Sequence, residues 1–213
     1  MKRAVIVSNG TISDYEYIKS FISDDDFIIC ADGAVSHLEK MGIKPQVWIG
    51  DYDSCNMPCY EFSQWAKNSE VIKLNPVKDA TDTESACDYV INHGFDSLVI
   101  IGALGSRFDH SFANVMLLVK LERAGVKAKI VNEKNIIYLA DEFNTIDSGD
   151  FENVSLVPVT PTVEGVTIKG MYYELNNATL DMYSSLGVSN KLVSPKGEIS
   201  IKKGMALIIL SKD

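Results

Sequence analysis

No stretch of the chain approaches the ~18 uninterrupted apolar residues of a membrane-spanning helix. Cysteine is also scarce. The four residues Cys30, Cys55, Cys59 and Cys87 do not make a disulfide framework in a chain of 213. Cys55 and Cys59 stand close together, but no second Cys or His pair completes a zinc site, so all four read as reduced, incidental thiols. Positive charge is short as well: 20 Lys and Arg against 29 Asp and Glu leave a net charge of −9, which disfavours a passive grip on nucleic acid. An acidic protein that handles phosphates needs a divalent cation between the two. No G-x-x-x-x-G-K-[ST] loop is present, and no G-x-G-x-x-G follows the first apolar run, where Ser8-Asn9-Gly10 reads only as a glycine turn. Those two absences exclude an ordinary P-loop kinase and a dinucleotide oxidoreductase. The opening MKRAVIVSNG places two basic residues before an apolar run, but the run is too short for a signal peptide. It reads as a first β-strand, and a cytoplasmic location is the default expectation. Internal repeats and low-complexity linkers are absent too.

What remains is an ordinary globular composition, 46% hydrophobic and 23% charged, in one large domain or two small ones. The first two-thirds alternates short β-branched runs with helical stretches. The runs are Arg3–Ser8, Phe27–Cys30, Val47–Ile49, Val71–Leu74, Leu98–Ile101 and Ala128–Val131. Their nearly continuous apolar character is that of strands buried on both faces of a parallel sheet. Helices are predicted at about 13–22, 34–41, 60–68, 82–93 and 110–124. In the last, Phe112, Val115, Met116, Val119 and Arg123 trace the helical spacing, and Gly125 is the stop. After about residue 132 only short alternating runs remain, among them Val154–Val159, Val166–Ile168, Ile199–Ile201 and Ala206–Leu210. The expected fold is α/β: a doubly wound, mainly parallel sheet domain at 1–132, then an antiparallel β-sandwich domain at 133–213.

Ligands of an open parallel sheet bind beyond the carboxyl ends of its strands. After the second run stands Ala31-Asp32-Gly33. After the third comes Gly50-Asp51-Tyr52-Asp53-Ser54, and after the fourth Lys78-Asp79-Ala80-Thr81-Asp82. The fifth is followed by Gly102-Ala103-Leu104-Gly105-Ser106-Arg107-Phe108-Asp109-His110. Taken singly, each Asp reads as a helix cap or a turn, and Thr81-x-x-Glu84 fits a capping box. Together, so many carboxylates at one edge would repel unless a cation sat among them, and Mg²⁺ suits such hard oxygen donors. The fifth segment is the phosphate half. Gly102 and Gly105 let backbone N–H groups approach an anion, a helix begins just beyond, and Arg107 offers a planar fork. Asp109 is placed to cap that helix, and His110 and Asn114 lie one turn apart on one face.

These segments, in order and spread over nearly the whole chain, resemble the thiamine pyrophosphokinase (thiamin diphosphokinase) family. Its pattern runs A-D-G, G-D-x-D-S, K-D-x-T-D, then G-x-x-G-x-R-x-D-H with an Asn on the next turn, and a C-terminal G-x-S-N. That last element is Gly187-Val188-Ser189-Asn190 here. The resemblance implies transfer of diphosphate from ATP to thiamine, with AMP released, in a homodimer whose active sites lie between subunits. It implies that Asp51, Asp53 and Asp82 hold Mg²⁺ with Asp79 in support. Arg107, Asp109, His110 and Asn114 would line the ATP phosphates, and Asp82 or Asp79 would accept the thiamine hydroxyl proton. Asp32 and Gly33 fall on the nucleotide side, and Ser54, Lys78, Thr81, Gly102, Gly105 and Ser106 complete its contacts. Ser189 and Asn190 would meet thiamine. Ala34 and Ser106 stand where many members have Gly. Both Trp residues, Trp48 and Trp65, lie in the first domain, so Tyr183 or Tyr172 is expected to supply the aromatic wall. Two other readings stay open at this stage. VWIGDYDS also fits a dehalogenase-type phosphatase with Asp51 as nucleophile, and a non-catalytic binder of thiamine or nucleotide would carry the same chain.

Overall fold

Short β-branched runs become parallel strands wherever helices can cover both sheet faces, and the first part of this chain is built that way. The computed structural model describes residues 1–51, 68–75, 79–147 and 149–213. Asp53, Ser54, Lys78 and all but the end of the predicted 60–68 helix lie outside them. Within the first unit, Met1–Glu133, the strands are β1 (Arg3–Val7), β2 (Phe27–Ala31), β3 (Val47–Gly50), β4 (Glu70–Lys73), β5 (Ser97–Ile101) and β6 (Lys127–Val131). Every neighbouring pair is parallel, in the order β4-β3-β2-β1-β5-β6. β1, β2 and β5 bury all but their first residue, whereas the edge strand β4 is mostly exposed.

The helices are α1 (Tyr15–Lys19), α2 (Val35–Met41), α3 (Asp82–Asn92) and α4 (Phe108–Arg123), with a 3₁₀ turn at Asp32–Ala34 leading into α2. α1 packs beside α2 and α3 beside α4, and the right-handed rule for parallel crossovers sets the two pairs on opposite faces of the sheet. The chain steps outward from β1 to β4, then returns to lay β5 against the other side of β1. The strand order therefore reverses between β1 and β5, and a crevice opens at that point.

Two expectations need correction. The buried face of α4 is Asn114, Leu117, Leu118 and Leu121, and Phe112 is exposed. Residues 112–119 are apolar except for Asn114, so the periodicity admits more than one stripe; packing on the sheet selects the i, i+3, i+4, i+7 set. Nor does Asp109 cap the helix. Arg107 occupies the N-cap position, with no side-chain cap bond, and Asp109 sits in the first turn. Gly125 ends α4 as expected, with φ +80° and its N–H donating to the Glu122 carbonyl. Thr81 caps α3 through its hydroxyl, which accepts from the Glu84 N–H at 3.1 Å.

The second unit, Lys134–Asp213, is antiparallel throughout. β7 (Asn135–Leu139), β13 (Ala206–Ser211) and β9 (Asn153–Pro158) form one layer. β11 (Leu175–Asp181), β10 (Thr162–Lys169), β12 (Gly197–Ser200) and β8 (Phe143–Ile146) form the other. Ile146, Val154, Leu156, Val163, Val166, Ile168, Ile199 and Ile208 fill one core between them, which makes the unit a sandwich. No helix among the described residues is long and apolar enough to cross a membrane.

Candidate active site

The crevice begins where two loops leave neighbouring strands in register. After β1, the Ser8 N–H donates to the Ile101 carbonyl (2.8 Å), Gly10 to Gly102 (2.7 Å) and Thr11 to Leu104 (3.2 Å). Only glycine permits this approach. A Cβ on Gly10 would lie 2.3 Å from the Gly102 oxygen, and one on Gly102, where φ is +66°, 2.2 Å from the Ser8 oxygen. The β1 turn is thereby welded to the phosphate-type loop after β5. Between them opens a cavity of about 510 Å³ lined by Ser8–Thr11, Ala31, Asp32, His37, Thr81–Thr83, Gly102, Ala103, Gly105–Arg107, His110, Ser111 and Asn114.

One wall is acidic. Asp32, Asp51 and Asp82, from the ends of β2 and β3 and the first turn of α3, each bring a carboxylate oxygen within 4.8 Å of the others. Like charges at that separation near a protein surface repel by roughly 3 kcal/mol per pair. Asp32 is buried and its backbone is left-handed, φ +43°, a conformation that costs a non-glycine residue on the order of 1 kcal/mol. The Trp48 Nε1–H, donating to the Asp32 carbonyl at 2.8 Å, helps to hold it there. Gly50 makes room: a Cβ at that position would stand 2.9 Å from Asp32 Oδ1. Sequence reasoning set Asp32 on the nucleotide side; the structure puts it in the cavity lining and also in the acidic group. Asp79, by contrast, is exposed and outside both the group and the cavity lining.

The opposite wall is built to accept negative charge. The sixteen-residue helix α4 points its N-terminus at the cavity, where its aligned peptide dipoles concentrate positive potential. Asn114 Nδ2 donates to the Ala103 carbonyl (2.8 Å), and the Ser111 hydroxyl bonds Gly105, so the loop is pinned to the helix that follows it. His110 and Asn114 both line the cavity, as their spacing predicts. At the rim Arg107 meets Asp109 through Nε–Oδ1 at 3.2 Å and Nη2–Oδ2 at 2.6 Å. That guanidinium, with help from the His110 backbone N–H, pulls the Asp109 carboxyl down to about 2. Asp109 itself does not line the cavity. Lys120 of α4 bridges Glu84 (2.9 Å) and Asp88 (2.6 Å) of α3, coupling the helix that carries Asp82 to the anion-binding one.

Sequence reasoning passed over the Ser8–Thr11 turn, His37 and the buried Ser8–Thr83 hydroxyl pair (2.8 Å). The available signal was positional: Ser8–Thr11 follows a strand end like the other four segments.

In the second unit, Gly187-Val188-Ser189-Asn190 runs against β9. A Cβ on Gly187 would lie 2.2 Å from the Leu156 oxygen, and Ser189 is left-handed at φ +59°. Asn190 is buried: its Oδ1 accepts from the Tyr173 N–H (2.9 Å) and its Nδ2 donates to the Tyr173 carbonyl (2.7 Å). The motif thus fixes the backbone beneath Tyr172 and Tyr173, whose rings stay exposed, as does that of Tyr183.

Comparison with known proteins matches this chain in both units. The family model for "Thiamin pyrophosphokinase, catalytic domain" covers residues 18–130. The model for "Thiamin pyrophosphokinase, vitamin B1 binding domain" covers residues 142–206. Thiamine pyrophosphokinase of Bacillus subtilis is 27% identical over 216 residues, with 100% of both chains covered. A crystal structure of the B. subtilis protein superimposes with a TM-score of 0.90 at 26% identity, over 100% of each chain. That of Geobacillus thermodenitrificans thiamin pyrophosphokinase gives 0.84 at 28% identity, over 99% of this chain and 98% of the other. The yeast enzyme shares the fold at a TM-score of 0.78 and 18% identity, over 99% of this chain and 86% of its own.

Proposed function

From the premise that the chain belongs to the thiamin pyrophosphokinase family, we propose how its residues divide that family's reaction. The activity is transfer of diphosphate from ATP to the hydroxyl of thiamine, giving thiamine diphosphate and AMP. The single observation that carries the assignment of roles is the cavity at the β1–β5 reversal, lined by Asp32 and Asp82 with Asp51 grouped beside them, and with a helix N-terminus at its edge.

Asp51 and Asp82, joined by Asp32, hold Mg²⁺; Asp53, outside the described residues, is the fourth candidate. Hard, closely spaced carboxylate oxygens fit that ion. When bound, Mg²⁺ neutralises polyphosphate charge and orients the phosphates for in-line attack. The helix N-terminus, the Gly102–Ser106 backbone, His110 and Asn114 cradle the phosphates, and Thr81 fixes the turn that aims Asp82. Arg107, already charged at the rim, binds the ATP phosphates and compensates the negative charge that grows on their oxygens in the transition state. Asp82 accepts the thiamine hydroxyl proton; the exposure of Asp79 gives that residue a supporting part at most. Gly33 lets the chain turn beneath the nucleotide, and Ser54 and Lys78 retain the nucleotide contacts assigned from the resemblance. In the second unit, Ser189 and Asn190 set the thiamine surface, and Tyr183 or Tyr172 stacks on the pyrimidine. The domain division we propose is catalytic for residues 1–132 and thiamine-binding for 133–213. We further propose a homodimer with active sites between subunits, a reading supported by the exposed Phe108 and Phe112 rings at the head of α4. A cytoplasmic setting follows from ATP as co-substrate.

The test is incubation with thiamine, ATP and Mg²⁺ while AMP and thiamine diphosphate are quantified together. The wild-type protein yields both in equal amount, and Asp82→Asn lowers kcat at least ~10²-fold, as expected for loss of a positioned base. A near-normal kcat in that variant overturns the base assignment. Absence of AMP from a folded sample that binds both ligands favours a regulator instead.

A further inference from the structure

We infer that His37 is a positioning residue for nucleotide binding, holding the Ser8–Thr11 lip of the cavity in place through the Gly10 carbonyl. The inference rests on the reading that ATP occupies the cavity at the β1–β5 reversal. The imidazole, on α2 and half-buried, stands between the lip and α1. Its Nε2 lies 2.8 Å from the Gly10 carbonyl oxygen, which has no proton to give, so Nε2 carries the hydrogen. Its Nδ1 lies 2.8 Å from the Tyr15 hydroxyl, and in a neutral ring that nitrogen accepts. Lys40 Nζ, 3.2 Å from the same hydroxyl oxygen, can only donate, which turns the Tyr15 proton toward His37. The result is one directed series of hydrogen bonds, Lys40 to Tyr15 to His37 to Gly10.

Burial lowers the His37 pKa, and the neighbouring Lys40 charge lowers it further, against the opposing influence of the Gly10 carbonyl and Glu133. The lowered pKa favours the neutral ring, the state that this series requires. Around it stand Tyr15 from α1, Lys40 from its own helix and Glu133 after β6.

The Gly10 peptide is gripped from both sides, its N–H by the Gly102 carbonyl and its C=O by His37. A little further on, Glu133 accepts from the N–H groups of Ser13 and Asp14. The lip has no regular secondary structure, so its shape rests on these bonds together with those from Ser8 to Ile101 and Thr83 and from Thr11 to Leu104, and His37 supplies the bond to the Gly10 carbonyl. Asp82, Asp51 and Arg107 stand on other segments, in the first turn of α3, after β3 and before α4, and loss of His37 therefore falls on nucleotide binding more than on the chemical step.

The experiment measures steady-state kinetics with ATP and thiamine varied separately, ATP affinity by calorimetry and melting temperature. The proteins are wild type, His37→Ala, His37→Gln, Tyr15→Phe and Arg107→Ala, and ¹⁵N spectra of the imidazoles accompany the first and fourth. We expect a neutral Nε2–H tautomer in the wild type. His37→Ala should raise KM and Kd for ATP about fivefold, the weight of one hydrogen bond, with kcat and the thiamine KM within about twofold. His37→Gln, whose amide can donate to the same carbonyl, should recover most of that loss. Tyr15→Phe should keep the Nε2–H tautomer, which the Gly10 carbonyl alone dictates, and raise the ATP KM by less.

Unchanged ATP affinity in His37→Ala overturns the inference. So does an equal loss in His37→Gln, or a loss shared by both substrates in step with a falling melting temperature. If His37→Ala fails to fold, an Nδ1–H tautomer in the wild type or in Tyr15→Phe overturns it instead, because Nε2 would then have no hydrogen for the Gly10 carbonyl. Arg107→Ala separates the two levels. If it leaves ATP binding intact, the cavity assignment fails; if it weakens binding while His37→Ala does not, the inference alone fails.

Discussion

The two ends of the parallel sheet are made of the same residue types and put them to opposite uses. At the amino end, Asp26 is buried and its carboxylate meets Arg3 at Nε and Nη2, both at 2.6 Å, and accepts the Ser23 N–H at 2.7 Å. Burial would push the Asp26 pKa up, but the hydrogen bonds from Arg3 and the Ser23 backbone outweigh it and the net shift is downward. At the carboxyl end, Asp32, Asp51 and Asp82 crowd together, and Asp32 adopts a left-handed backbone to join them. An Arg–Asp pair ties the sheet together at one end, and like charges are gathered at the other, where a ligand is proposed to bind. The contrast is an electrostatic statement of why one end is a foundation and the other a site.

Substitutions at each end should break this contrast in opposite senses. Asp51→Asn carries the largest expected effect: a fall in kcat of about 10³-fold, with a melting temperature unchanged or raised because a like-charge repulsion is relieved. Parallel loss of stability would show that Asp51 belongs to the framework. Gly50→Ala tests the geometry of the same wall. Its methyl would displace Asp32, and a 10–100-fold loss of kcat/KM at nearly constant KM for thiamine is expected from so small a misplacement.

At the other end, Asp26→Asn should cost about 2 kcal/mol in denaturant unfolding and leave turnover unaltered. Because the Asp26 pKa is depressed in the folded state, its contribution is fully present above the ordinary carboxylate range. It is lost as the pH falls through the lowered folded value. The acid limb of the stability profile should therefore flatten in Asp26→Asn, which unfolding at pH 3 to 6 can measure.

The framework was more legible in the sequence than the site. β1, β2, β3 and β5 sit within a residue of their predicted bounds, because strands covered on both faces need unbroken apolar runs and those runs are local. α4 was legible in extent but not in facing. Its segment offers several apolar stripes, and only the sheet beneath decides that Asn114, Leu117, Leu118 and Leu121 turn inward. The acidic residues could be found one strand end at a time. That Asp32 joins Asp51 and Asp82, and that Asp79 does not, depends on a backbone twist and on the bare Cα of Gly50, neither of which has a periodic signature. Ser8–Thr11 looked like a turn because its partners in the β5 loop are far away in sequence.

That separation bears on how the protein comes into being. β1 pairs with β2 on one edge and with β5 on the other, so its second edge stays bare until most of the first unit has been synthesised. Closing that seam is a long-range event of the kind that slows folding and exposes apolar edges to wrong partners meanwhile. The Gly10–Gly102 contact lies on the seam, so the ligand cavity does not exist in any intermediate that lacks it. A nascent chain becomes competent for nucleotide only at the moment its least protected strand is covered.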